Sequence, residues 1–168
     1  MTAIPLESIK SLREQTSAGV MDCKNALEES GGDMAEAAEL LRQKGLILAG
    51  KKSSRDTPEG VVDCYIHTGN RVGAIVEVNC ETDFVARTPE FKELVHNLAM
   101  QVAAMAPRYI DNSSIPGEAL ANPEEACLLE QPFIKDPAMT INDLVSNVMA
   151  RMGENIRVRR FERFALGD

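Results

Sequence analysis

Apolar residues recur along this chain at two different spacings, and the change of spacing divides it. Over the first fifty residues the repeat is helical. Leu6, Ile9 and Leu12 follow Pro5, which suits a first helical turn, and Val20, Cys23, Ala26 and Leu27 share one side of a second helix over 20–29. Gly31-Gly32 stops that helix. Asp33, with Glu36 three residues on, predicts the start of a third, with Ala37, Leu40 and Leu41 inward, running to Lys44 and closed by Gly45. Large apolar residues are scarce here, so three such helices make a small core that is marginal alone. The polar stretch Lys51 to Pro58 predicts a linker.

Beyond it the spacing drops to two. Val62, Cys64 and Ile66 alternate with polar neighbours, as do Val72, Ala74, Val76 and Val78, and Gly69-Asn70 predicts a two-residue type II′ turn between the two strands. Helical spacing then returns. Thr88 and Pro89 cap and open a helix whose stripe is Phe91, Leu94, Val95, Leu98, Ala99, Val102 and Ala103, ended by Pro107. Residues 111–137 are rich in proline, asparagine and acids and predict loop with short helical turns. Thr140 with Asp143 predicts a capping box flanked by Met139 and Leu144 at staple positions, and Gly153 closes that helix. A last strand runs from Asn155 to Phe164, its alternation slipping by one at Arg159-Arg160, where a β-bulge is expected. The expected fold is α+β: a three-helix module over 1–50, a linker over 51–58, and an α+β core with an antiparallel sheet over 59–168.

Composition narrows what such a fold does. The 168 residues carry a net charge of −8, all of it beyond residue 55, which argues against a phosphate-backbone partner and so against direct nucleic-acid binding. No apolar run reaches the ~20 residues of a membrane span, and Met1 to Glu7 lack a signal-peptide pattern, so the expected compartment is the cytoplasm with no membrane partner. The four cysteines, Cys23, Cys64, Cys80 and Cys127, are scattered without a C-x-x-C pair. Cys64 and His67 have ligand-like spacing that Cys80 can complete across the hairpin as a zinc site, but small buried thiols fit as well. No glycine-rich phosphate loop or nucleophile motif is present, His96 lies off the apolar stripe of its helix, and no cofactor is expected. The chain does not read as an enzyme.

One segment stands apart. Glu77-Val78-Asn79-Cys80-Glu81-Thr82-Asp83-Phe84-Val85-Ala86-Arg87 takes a strand into polar residues and then places an aromatic beside a carboxylate. Phe84 as core and Thr82 or Asp83 as a helix cap is one reading. The other is an aromatic anchor on a rigid strand-to-helix corner, of the kind found at interface hot spots.

That segment resembles a signature of elongation factor Ts. Leu12 to Leu27 (LREQTSAGVMDCKNAL) and Met152 to Phe161 (MGENIRVRRF) are also similar to the family, in the same order. The resemblance implies a guanine nucleotide exchange factor of translation whose partner is the GTPase elongation factor Tu. It implies that the N-terminal helices form a ubiquitin-associated-like module gripping that GTPase through Arg13 and the apolar pair Val20-Met21, where the family often has methionine at the first position. It implies that the corner, with Asn79, Thr82, Asp83 and Phe84, enters near the nucleotide site, Asp83 and Phe84 foremost. Short family members also act as homodimers. The chain departs from their pattern between Pro116 and the Leu128–Phe133 motif, where only 11 residues intervene. From the residues alone, Arg13 also reads as a solvated helix residue and Met21 as core. A ubiquitin-associated-like adaptor for some other partner is the alternative function.

Overall fold

The structure, a computed structural model, describes residues 4–16, 18–52, 54–116 and 122–167, and of residues 45–52 the backbone alone. Three helices come first: α1 (Leu6–Thr16), α2 (Val20–Glu29) and α3 (Met34–Lys52). Their core is Ile9, Leu12, Cys23, Ala26, Leu27, Ala37 and Leu41. Gly31 and Gly32 both take positive φ, so the Gly32 N–H returns to the Leu27 carbonyl at 2.8 Å and ends α2. Asp33 Oδ1 accepts the Glu36 N–H at 2.9 Å and starts α3. Leu6 and Val20, expected on the buried stripes, are instead exposed, because helices this short turn only a narrow face inward. The third helix also passes Gly45 and continues to Lys52. Gly45 and Gly50 each cost only about 1 kcal/mol in a helix, and Leu46-Ile47-Leu48-Ala49 between them favour continuation.

The remainder is built on a sheet of order β1-β2-β5, formed by β1 (Glu59–Ile66), β2 (Val72–Cys80) and β5 (Ile156–Ala165), antiparallel throughout. Between β2 and β5 lie the one-turn helix α4 (Asp83–Ala86), α5 (Pro89–Met105), the short α6 (Pro123–Ala126), the small hairpin β3 (Pro132–Phe133) and β4 (Asp136–Thr140), and α7 (Ile141–Met152). The stripe on α5 is buried as expected and packs with Ala74, Val76, Val78 and Cys80 of β2, Val148 and Met149 of α7, and Ile156 and Val158 of β5. The Thr140–Asp143 capping box is formed, and Gly153 ends α7 at φ 75°. The slip in β5 is a bulge at Arg159, since Glu77 pairs with Arg160 while Val78 pairs with Val158. Beside α7, Arg42 of α3 reaches Asp143 at 3.5 Å.

Three expectations change here. Register decides the first: Val61, Asp63 and Tyr65 of β1 lie opposite Val78, Val76 and Ala74, so Val62, Cys64 and Ile66 fall on the outer face of the sheet. Both faces of β1 carry apolar residues, and only the pairing chooses between them. The second is the turn. Asn70 N–H bonds the His67 carbonyl at 2.9 Å, with Gly69 at φ 93° and Asn70 at φ 55°, so glycine sits at the third position of the turn rather than the first of a two-residue loop. The third is the stretch 111–137: its short helical turns at 112–114, 123–126 and 128–130 are as expected, but the β3–β4 hairpin at its end is not. Part of the shortened region, 117–121, lies outside the described residues.

That hairpin is tied to α5 by a polar pair within the core. Gln101 and Gln131 are both fully buried. Gln101 Nε2 donates to Gln131 Oε1 at 3.2 Å and to the Pro132 carbonyl at 3.1 Å, while its Oε1 accepts the Ile134 N–H at 3.0 Å. Leucine at position 101 fits the volume but leaves all three partners unpaired. Gln101→Leu is therefore expected to lower stability by about 1–3 kcal/mol; thermal melts within a degree of wild type would contradict this. Burial also separates the thiols, raising the Cys80 pKa to about 11 and that of Cys127 above its ordinary value, while Cys64 is exposed and Cys23 is buried. A thiol reagent should reach Cys23, Cys80 and Cys127 only in denaturant; native labelling of any of the three counts against this packing.

Candidate functional site

The Phe84 corner is made by a strand end and two helix caps in succession. β2 ends at Cys80, whose buried thiol donates to the Thr82 carbonyl at 3.2 Å. Thr82, in extended conformation, caps α4 through its hydroxyl, which accepts the Val85 N–H at 3.5 Å. Thr88 then caps α5, its hydroxyl accepting the Phe91 N–H at 3.2 Å and donating to the Val85 carbonyl at 2.8 Å. Two helices thus follow each other with no slack between them. Val85 and Ala86 point into the core, so the single turn of α4 must turn Phe84 outward, where it is 78% exposed. The core reading of Phe84 is excluded.

Asp83 lies beside it, half-exposed and 2.8 Å from the Arg87 guanidinium across one helical turn. A pair this exposed is worth no more than about 1 kcal/mol, so it can open without much loss. Asn79 sits on the outer face of the sheet one strand position before the corner, its amide donating to the Glu59 carbonyl at 3.2 Å. Close by, β1 passes so near β2 that a Cβ on Gly60 would lie 2.3 Å from the Val78 carbonyl oxygen. Glu77, on the same outer face, is held below the usual carboxylate range chiefly by its hydrogen bond to Arg160, at 2.6 Å.

Beneath the corner is an arrangement that spacing along the chain does not reveal. Glu154, just after α7, places Oε2 3.1 Å from the Glu81 N–H and 3.0 Å from the Thr82 N–H, and Oε1 accepts the Thr82 hydroxyl at 2.5 Å. Glu81 answers by accepting the Asn155 N–H at 2.6 Å. Asn155 is buried, and its side-chain amide donates to the Arg55 carbonyl at 2.7 Å. Glu154 and Asn155 stand in the tail motif, but a carboxylate bonding to backbone 72 residues away has no periodicity to betray it.

The N-terminal candidates are separate from the corner in sequence and in element. Arg13 is exposed on α1, and Val20 and Met21 are exposed in the first turn of α2, Met21 by 63%. The reading of Met21 as core is excluded. Cys64, His67 and Cys80 do not converge. Cys64 lies on the outer sheet face and Cys80 within the core, and His67 Nδ1 is 3.2 Å from the Tyr65 hydroxyl. Among the described residues no cluster of three or more His, Cys, Asp or Glu is placed to hold a metal ion, and no helix is long and apolar enough to cross a membrane.

A family model described as "Elongation factor TS" matches residues 6–125. Over nearly its whole length the chain is also similar to proteins named elongation factor Ts. It is 46% identical to that of Carboxydothermus hydrogenoformans, covering 98% of this chain and 90% of that one. The protein of Rippkaea orientalis is 48% identical, with 100% and 80% covered, and that of Methylacidiphilum infernorum 47%, with 99% and 96% covered. The aligned stretches, 195, 199 and 194 positions, are longer than the chain itself, so it lacks residues that these relatives have. With the matched signatures now placed on an exposed corner and an exposed helical surface, the chain belongs to the elongation factor Ts family.

Proposed function

We propose that the chain promotes GDP release from elongation factor Tu, with Phe84 as the wedge and the N-terminal helices as a ubiquitin-associated-like grip. The observation that carries this reading is the corner itself, where a ring left in water stands on a turn whose other apolar side chains are buried. Large exposed rings on ordered supports are the usual anchors of protein interfaces. Arg13, Val20 and Met21 supply a second exposed surface of matching character. Asn79 and Thr82 act by shaping the corner, and Asp83 by meeting polar groups on the GTPase once its pair with Arg87 opens. No metal or cofactor is needed on this chain, because the Mg²⁺ that GDP depends on belongs to the GTPase.

Linkage sets the mechanism. Exchange factor and GDP must weaken each other's binding to the GTPase by the same factor. An acceleration of release by about 10⁴-fold requires about 5.5 kcal/mol of barrier reduction, whereas burying one phenylalanine returns only about 1.5–3 kcal/mol. Phe84 is thus the directing contact, and Asp83 and the N-terminal surface supply the remainder.

We further infer that two copies pair through the outer face of the sheet. Cys64, Ile66, Ile75, Phe164 and Leu166 line a shallow depression of about 490 Å³ there. It lies at the hairpin end of β2, some eight residues and roughly 25 Å from the corner at the strand rise of about 3.3 Å. A partner copy on that face leaves Phe84 free.

Release of a fluorescent GDP analogue from elongation factor Tu tests the first reading. Wild type should accelerate release strongly, Phe84→Ala should lose about ten- to a hundred-fold of that effect, and Asp83→Ala should lose less. If the folded wild type leaves the release rate unchanged, the adaptor reading takes its place. Sedimentation tests the second: wild type should run as a dimer of the 18.4 kDa chain and Phe164→Asp as a monomer, whereas a monomeric wild type removes the pairing.

A further inference from the structure

The last pair of the β2–β5 ladder is Cys80 with Ile156. The ladder ends there, and the N–H groups of Glu81 and Thr82 lie beyond it. The Glu154 carboxylate takes both, at 3.1 and 3.0 Å, and the Thr82 hydroxyl as well. In return Glu81 takes the Asn155 N–H at 2.6 Å. Two carboxylates therefore extend the ladder by one reciprocal step, and charge-assisted bonds of this kind are about twice as strong as neutral ones. Thr82 is also the N-cap of α4, the turn that carries Phe84. The direction in which Phe84 points thus depends on where Glu154 holds Thr82. Arg55 closes the network from the other side, its carbonyl bonded to the Asn155 amide at 2.7 Å and its guanidinium 3.4 Å from Glu81.

We propose that Glu154 is a positioning residue for nucleotide exchange, acting through Thr82 to hold Phe84 in the orientation that enters the GTPase. This rests on the exchange reading above. Without Glu154, two backbone N–H groups turn to water, α4 is held only by its own cap, and the ring samples orientations that bind without displacing GDP. The number of productive encounters falls while the grip through α1 and α2 is unchanged.

The test is the saturation curve of GDP-analogue release against exchange-factor concentration for wild type, Glu154→Ala, Glu154→Gln, Phe84→Ala and the double variant Glu154→Ala with Phe84→Ala. Glutamine keeps an oxygen for the two N–H groups and places an amide donor where Oε1 accepts the Thr82 hydroxyl, so that one bond is made in reverse, with the hydroxyl accepting. Glu154→Ala should lower the maximal release rate about ten-fold or more, with less than a three-fold change in the half-saturating concentration. Glu154→Gln should stay within about three-fold of wild type, and Glu154→Ala should cost less than two-fold once Phe84 is already alanine. An equal loss in both backgrounds overturns the proposal, as does a Glu154→Gln variant as impaired as Glu154→Ala, or a folded Glu154→Ala at the wild-type rate. An inactive wild type would instead remove the exchange reading on which it rests.

Discussion

The packing of α5 across the inner face of the sheet is the constraint that everything else in the core obeys. Phe91, Leu94, Leu98 and Val102 are almost wholly withdrawn from water together with Val76 and Val78. Withdrawing apolar surface from water stabilises by about 25 cal/mol per Å², and this contact is what holds α5 to the sheet. It fixes the start of α5, hence Thr88, hence the length of chain left between Thr88 and the end of β2. Seven residues must span that gap, and α4 is what fits. Phe84 is outward because Val85 and Ala86 on the same turn are held inward.

Much of this was legible in the order of residues, and the reasons are local. The α5 stripe, the Thr88-Pro89 start, the Thr140–Asp143 box and the bulge at Arg159 each leave a mark within a few positions of where they act. A capping residue bonds three positions on, and a bulge shifts a period-two pattern by one. The outer-face placement of Val62, Cys64 and Ile66 left none, because β1 is apolar on both faces and its partner decides which face is buried. Gln101 was equally silent, since its three bonds go to the β3–β4 hairpin some thirty residues later. The passage of α3 through Gly45 belongs with these: glycine permits a helix to stop, but the residues after it decide whether it does.

The candidate site divides in the same way. Phe84 and Asp83 were visible as an aromatic and a carboxylate at the end of a strand, with two readings open; exposure of the ring removes the core reading, while the helix cap that went with it is formed by Thr82. The support beneath them was not visible. Glu81, Glu154, Asn155 and Arg55 come from three separate stretches, and what joins them is side chain to backbone bonding. Such bonds impose no spacing on the sequence. A motif can therefore contain Glu154 and Asn155 and still say nothing of what they hold.

The rigidity of the corner has an energetic meaning for the proposed wedge. Ordering one residue of flexible backbone costs about 1–2 kcal/mol, and a side chain fixed on binding adds about 0.5–1.5 kcal/mol. A loose loop of the same length would spend more on becoming ordered than one phenylalanine returns by burial. In this chain that ordering is done during folding, by the caps at Thr82 and Thr88, the core contacts of Val85 and Ala86, and the exchange of bonds between Glu81 and Glu154. The free energy of inserting the ring is then available to act against GDP instead of against the loop's own entropy. On that account the residues that never touch the GTPase matter to exchange through the corner they keep still.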